Sequence, residues 1–293
     1  MSKQVKDTDK TSSMSFTVTV HKVLRHIVCI FLCCLSLFPF IIMIVNATRP
    51  SVAIESKFTL VPSTYFFSNV SKLMEQCNAT VPIWRYMLNS AIIAGLATVL
   101  SVYFSTLTAY GVTVYNFKFK KIAWAFIMAI LMIPTQVSIV GFFKFMYQLG
   151  FGNSYVPLIV PAIAAPSVVF FMKQYMESAL PLEIIDAARI DGSGEFKTFN
   201  HIALPLMKPA VATQAIFAFI LSWNNLFTPS MLLTSQKKYT LPMFIQQMRG
   251  ERFRTDYGII YVGLVITILP IFIVYFTLSR YIIAGVALGG VKE

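Results

Sequence analysis

Six long stretches of the chain carry no Asp, Glu, Lys or Arg: residues 26–48, 86–117, 122–143, 145–172, 209–236 and 257–279. Together they take up 156 of 293 residues, and each exceeds the ~20 predominantly apolar residues with which a helix crosses a ~30 Å hydrocarbon layer. Their apolar positions run on without alternation, as in Phe142-Phe143 and Val168-Val169-Phe170-Phe171, unlike the ~10-residue alternating strands of a membrane β-barrel. Buried strands of a soluble α/β domain are much shorter than these runs. The pattern therefore predicts an all-α, polytopic membrane protein with six transmembrane helices, at about 26–48, 87–114, 122–143, 155–172, 210–233 and 257–279.

Composition agrees with this reading, since 57% of residues are hydrophobic and charge makes up 12%, about half the ~25% usual for soluble domains. The first run stays a spanning helix and not a cleaved signal, because it is longer than an h-region and no small-x-small site follows it. The polar segment 1–22 reads as a partly disordered tail, so residues 1–25 and 280–293 flank a membrane domain over 26–279. An even number of spans puts both ends on one side. With that side inside, 14 Lys and Arg lie inside against 10 outside, and the short Lys118-Phe119-Lys120-Lys121 turn is the strongest inside marker. Both termini are thus expected on the cytoplasmic side of the membrane. The net charge of +12 is assigned to span-flanking bases facing anionic lipid, not to nucleic acid, because no basic patch is interleaved with aromatics outside the spans.

Prolines at 39, 134, 157, 161, 166, 229 and 270 fall inside the predicted spans, where each removes a backbone donor and bends the helix. The cysteines, Cys29, Cys33, Cys34 and Cys77, have no disulfide or zinc spacing. Neither a catalytic constellation nor a metal cluster is expected, which argues against a membrane-bound enzyme.

The segment between the fourth and fifth spans is the informative one. Pro181 and Glu183 suit the first turn of a short helix, and Gly192 ends it, because glycine takes a left-handed turn without Cβ strain. A second helix is predicted from about Glu195 to Ala203, stopped by Leu204-Pro205. The first helix mixes Ile184, Ala187, Ala188 and Ile190 with Asp186, Arg189 and Asp191. Small residues at a cytosolic surface let another protein approach closely, whereas a lipid-surface helix would show a broad Phe/Leu/Trp face with more bases than acids.

This segment resembles the cytosolic signature of import-type ABC transporter membrane subunits: Glu-Ala-Ala, three residues, Gly, nine residues, Ile-x-Leu-Pro. Here the run is Asp186-Ala187-Ala188, three residues, Gly192, nine residues, Ile202-Ala203-Leu204-Pro205, with Asp in the place of Glu. The longer form in carbohydrate importers is matched by Asp191-Gly192-Ser193 and by Leu204-Pro205-Leu206-Met207-Lys208-Pro209. Trp223-Asn224-Asn225-Leu226-Phe227 is similar to the Trp-Asn-Glu-Phe stretch of maltose-type permeases, and Thr240-Leu241-Pro242 and the glycine-rich end 285–292 match in order, so the resemblance covers about 85–293.

It implies a type I importer permease with a coupling helix in the 181–205 segment (loop 176–207), and ATPase-coupling residues Asp186, Ala187, Ala188, Asp191, Gly192, Ile202, Leu204 and Pro205. The implied partners are an ATP-binding subunit dimer, a second homologous permease and an extracytoplasmic solute-binding protein. No G-x-x-x-x-G-K-[ST] loop occurs in the chain, so ATP and Mg belong to the partner and no cofactor is expected here.

Polar side chains left in the spans are Asn89, Gln136, Gln214, Trp223, Asn224 and Asn225. Gln136, Trp223, Asn224 and Asn225 are candidate substrate-path residues, since amides bond sugar hydroxyls and Trp stacks on a pyranose face; the same side chains also join helices. A sugar or oligosaccharide is the expected solute. The alternatives are an ABC importer of a non-sugar solute such as glycerol phosphate, or an ion-coupled carrier; charge-free spans count against the carrier, which needs a relay of ionisable groups.

Overall fold

The computed structural model describes the backbone of residues 2–78, 81–250 and 256–289, and the side chains of 21–77, 81–134, 137–249 and 256–282. It contains helices and connecting segments, with no strand among the described residues.

One compact unit comprises Met1–Lys72 and Asp256–Val265. Helix α1 (Ser2–Ala47) runs through the first apolar stretch with Pro39 inside it. Its backbone is helical from Ser2, where the sequence predicted a polar, partly disordered tail over 1–22. After α1 come α2 (Ser51–Ser56) and α3 (Phe66–Asn78). Buried Arg49 fastens this turn by donating to Asn46 Oδ1 at 3.1 Å and to the carbonyls of Ala53 and Lys57 at 2.6 and 2.8 Å. A guanidinium with its donors satisfied by oxygens can be buried at tolerable cost. Asn69 donates to the Ala47 and Arg49 carbonyls, both at 3.0 Å. Gly258 is required beside them, since a Cβ there would come within 2.8 Å of the Arg49 carbonyl oxygen.

The second unit, Leu73–Thr255 with Ile266–Glu293, is organised by α4 (Ile83–Val114). Ser90, Ala94, Ala97, Ser101, Ser105 and Ala109 recur at three- and four-residue spacing on α4 and are all buried. Small residues let neighbouring backbones come close in a bilayer, so α4 becomes the shared contact of its neighbours.

Chain order continues with α5 (Lys120–Leu131), α6 (Thr135–Gln148) and α7 (Val156–Ile159). A 3-10 turn (Val160–Ile163) leads to α8 (Pro166–Ala179). Beyond it lie α9 (Leu182–Ile190), α10 (Glu195–Thr198), a π turn (Phe199–Ala203) and α11 (Leu204–Leu206). The remainder is α12 (Lys208–Trp223), α13 (Phe227–Leu232), α14 (Leu241–Gly250) and α15 (Tyr257–Gly289). Both α8 and α12 pack along α4.

Among the described residues four segments are long and apolar enough to cross a membrane: His21–Ala47, Ile83–Val114, Val156–Ala179 and Tyr257–Ile282. The other two apolar stretches are broken where the sequence predicted continuous helices. Residues 122–143 are divided by Met132–Pro134, with Pro134 at the N-cap of α6, because proline drives the residue before it out of the helical region. Residues 210–233 are divided after Trp223, leaving Asn224, Asn225 and Leu226 between α12 and α13. Val156–Ala179 also runs seven residues past the predicted end at 172, carrying Lys173 and Glu177 as an ion pair within α8.

Candidate functional site

The loop between α8 and α12 is built from the turn at Gly192. Pro181 caps α9, Glu183 lies in its first turn and Arg189 in its last, each charge on the favourable side of the helix dipole. Gly192 has φ +76°. Its N–H donates to the Arg189 carbonyl at 3.0 Å and the Ser193 N–H to the Ala188 carbonyl at 2.9 Å, the paired bonds of a Schellman cap, which needs a left-handed residue at this place.

The turn is clamped by side chains. Arg189 donates through Nε to Glu195 Oε1 at 2.8 Å, through Nη2 to Glu195 Oε2 at 3.4 Å, and through Nη1 to Asp186 Oδ1 at 3.0 Å. Its guanidinium also lies over the Tyr115 ring, 5.5 Å from the centroid. Two-pronged Arg–carboxylate pairing fixes orientation as well as distance, and Tyr115 is the C-cap of α4. Burial, together with the hydrogen bond to Glu195, pushes the Tyr115 phenol up to about 12. The Arg189 and Tyr115 bonds hold the Glu195 carboxyl below its ordinary range. These contacts join both arms of the loop to the end of α4.

Beneath the clamp, Ile185 of α9 enters a buried cluster with Tyr110, Val169, Met172, Met176, Phe199, Ala203 and Met207, and Ala188 is buried as well. Phe199 is completely buried, its ring edge-on to Tyr103 at 5.8 Å and tilted on Tyr110 at 5.3 Å. The loop thus rests on α4 and α8 through a hydrophobic core.

The predicted coupling residues fall on two sides of this arrangement. Asp186, Ala187, Asp191, Gly192 and Pro205 are exposed, Ala188 is buried, and Ile202 and Leu204 are half-buried against the core. Ile190, 87% exposed, and Phe196 stand on the outer side. The predicted stop at Leu204-Pro205 is not where the helical path ends: it passes through the π turn and α11 to Leu206, then bends by 82° into α12. A π turn loosens the register ahead of Pro205, so its missing donor leaves no strained gap.

Of the path candidates, Gln136 has its backbone in α6 and its side chain outside the described residues. Trp223 is 1% exposed, stacked on Phe219, and donates through Nε1 to the Thr267 carbonyl at 3.0 Å. In this conformation it pins helices and offers no open face for a ring to stack on. Asn224 is exposed, and Asn225 accepts from the Thr228 N–H at 3.2 Å while lining a cavity of about 360 Å³ between α4, α8 and α12. The sequence reading missed the Arg189–Glu195–Tyr115 clamp and the cavity's Ser101 and Ser167. An i+6 ion pair across a glycine turn was a readable signal for the first; nothing in the sequence marked the serines.

A family profile described as "Binding-protein-dependent transport system inner membrane component" matches residues 101–287. The chain is 37% identical over 265 residues to the arabinooligosaccharides transport system permease protein AraQ of Halalkalibacterium halodurans, covering 89% of this chain and 93% of the relative. It is 30% identical over 259 residues to the lactose transport system permease protein LacG of Rhizobium radiobacter, covering 88% and 92%. In structure it is similar to a chain of a bacterial ABC transporter involved in the import of the acidic polysaccharide alginate, with a TM-score of 0.77 at 19% identity, over 90% of this chain and 97% of the other.

Proposed function

We propose, for a chain that belongs to the family of binding-protein-dependent transport system inner membrane components, that it carries a neutral sugar or oligosaccharide across the bacterial cell membrane. The chain is a non-catalytic, multi-pass permease subunit of an ABC importer. The permeases AraQ and LacG, named for oligosaccharide and disaccharide transport, support the carbohydrate reading.

The observation that carries the coupling role is the two-sided loop. Its inner side is fixed to α4 and α8 by the Phe199 core and the Arg189 clamp, and its outer side presents Ile190, Phe196, Asp186, Ala187 and Asp191. A rigid piece with an apolar, acidic outer face suits docking on a separate ATP-binding subunit, which holds ATP and Mg. Closure of an ATPase dimer then moves the loop as one body and tilts the spans between two access states. A second, homologous permease supplies the other half of the path, and a solute-binding protein delivers the sugar on the outer side. Both termini lie in the cytoplasm on this reading.

Asp186 is exposed, and its intrachain partner is Arg189. Surface pairs of this kind contribute ~0–1 kcal/mol, so an Asp186→Lys change barely alters the fold yet reverses the charge offered to the ATPase. Co-purification of the ATPase with the permease is expected to drop several-fold, and Asp186→Glu to keep it. Wild-type recovery of the ATPase with Asp186→Lys would count against the assignment.

The function itself is tested in proteoliposomes holding the whole complex and its binding protein. Uptake of labelled arabinotriose, lactose or maltotriose is expected to need ATP and the binding protein and to ignore ionophores. Uptake that follows an ion gradient without ATP would overturn the proposal.

A further inference from the structure

The cavity between α4, α8 and α12 has a mixed lining. Ala97, Ala162 and Ala218 give it smooth walls, and Ser101, Ser167, Gln214 and Asn225 face it with hydroxyls and amides. Gln214 is 8% exposed and Ser101 5%, and among the described residues neither side chain hydrogen-bonds another group. Both line the cavity, Ser101 from α4 and Gln214 from α12, and offer an entering molecule a hydroxyl and an amide to bond.

The space, about 360 Å³, falls at the lower end of the roughly 300–1,000 Å³ of small-molecule pockets. None of its lining side chains is charged, so a carboxylate or phosphate would enter without a counter-charge, which is unfavourable away from water. Hydroxyl groups meet the opposite situation, since Gln214 offers two donors and an acceptor and each serine offers both roles. The small alanines leave room for a saturated ring.

We propose that this cavity is a subsite within this chain for one neutral glycosyl unit of the solute in transit, held through its hydroxyls by Gln214, Ser101, Ser167 and the free amide of Asn225. The assignment rests on the reading of the chain as a carbohydrate permease and goes beyond it by locating the contact here and not in the partner permease alone. It also excludes Trp223 as the stacking surface and disfavours uronates and phosphorylated polyols as cargo.

The test uses the complete complex with its binding protein in proteoliposomes, with labelled arabinotriose and maltotriose as neutral probes and glycerol 3-phosphate as the anionic one. Gln214→Leu is expected to lower the maximal uptake of the neutral probes about tenfold, the loss of about one hydrogen bond of roughly 1.4 kcal/mol in the path. The half-saturating concentration, set by the binding protein, is expected to stay put, and Gln214→Asn to restore part of the rate. Wild-type uptake rates with both Gln214→Leu and Ser101→Val would overturn the subsite and leave the carbohydrate reading standing. Wild-type complex that moves glycerol 3-phosphate and neither trisaccharide would overturn both. If Gln214→Leu lowers the yield of assembled complex, Ser167→Trp, at an exposed side chain, decides: blocked uptake at normal yield supports the subsite, and unhindered uptake refutes it.

Discussion

Gly192→Val is expected to leave a complex that inserts, assembles and hydrolyses ATP, but takes up sugar at a rate lower by about one order of magnitude. The residue sits at φ +76°, where an L side chain costs roughly 1–2 kcal/mol and a β-branched one fits worst. A Cβ built at this position meets nothing within 4 Å, so the penalty comes from the backbone alone. The turn responds by shifting toward another geometry, which breaks the bonds from Gly192 to Arg189 and from Ser193 to Ala188 and misaligns the Arg189–Glu195 pair. A strain of that size changes the population of the intact turn by roughly 5- to 30-fold. Because the cause is conformational, Gly192→Asn, which tolerates the left-handed region, should recover most of the uptake while Gly192→Ala lies between. Parallel assays of uptake and ATP hydrolysis decide the matter; full uptake with valine, or equal losses with valine and asparagine, would sink the explanation.

That turn was legible in the sequence because its signals are local. Glycine after a short amphipathic helix, with an acid at the start and a base at the end, is enough to place a cap, and the helix found, Leu182–Ile190, lies within two residues of the expected one. Apolar run length likewise located the four segments that are long and apolar enough to cross a membrane among the described residues. What it could not reveal is where a run is interrupted. Pro134 and Pro157 look alike as letters, yet the first separates two helices while the second is absorbed in the opening turn of α7. The difference depends on which neighbour supplies the lost bond, and that is tertiary information. Pro205 misleads in the same way, since the π turn before it lets the helical path continue.

The site divides along the same line. Asp186, Ala187 and Gly192 stand exposed while adjacent Ala188 is buried; a motif fixes spacing and says nothing of which side faces out. Trp223 was attractive chemically, and its burial against Phe219 and its bond to Thr267 show how aromatic and amide residues in a membrane helix serve as fasteners. Ser101 and Ser167 are ordinary letters in apolar segments. They become informative only when α4 and α8 bring them to one cavity.

Phe199→Ala should have the largest effect on the loop. The ring is completely buried, between Tyr103 and Tyr110 of α4 and in one cluster with Met172 and Met176 of α8. Emptying such a site costs about 3–5 kcal/mol, part from lost transfer and part from the cavity left behind. The spans keep other contacts, because α4 packs along both α8 and α12. The cost therefore falls on the attachment of the loop: amides over 182–206 are expected to lose roughly 100-fold or more of their hydrogen-exchange protection, and sugar uptake is expected to vanish while the protein remains in the membrane. Phe199→Leu, which keeps much of the volume, should lose far less. Ile190 gives the opposite control, since it is exposed and its truncation should change stability by no more than ~0.5 kcal/mol while weakening ATPase recovery. If Phe199→Ala leaves loop protection intact, or Ile190→Ala loosens the loop as much, then the division into an anchored inner side and a docking outer side is wrong.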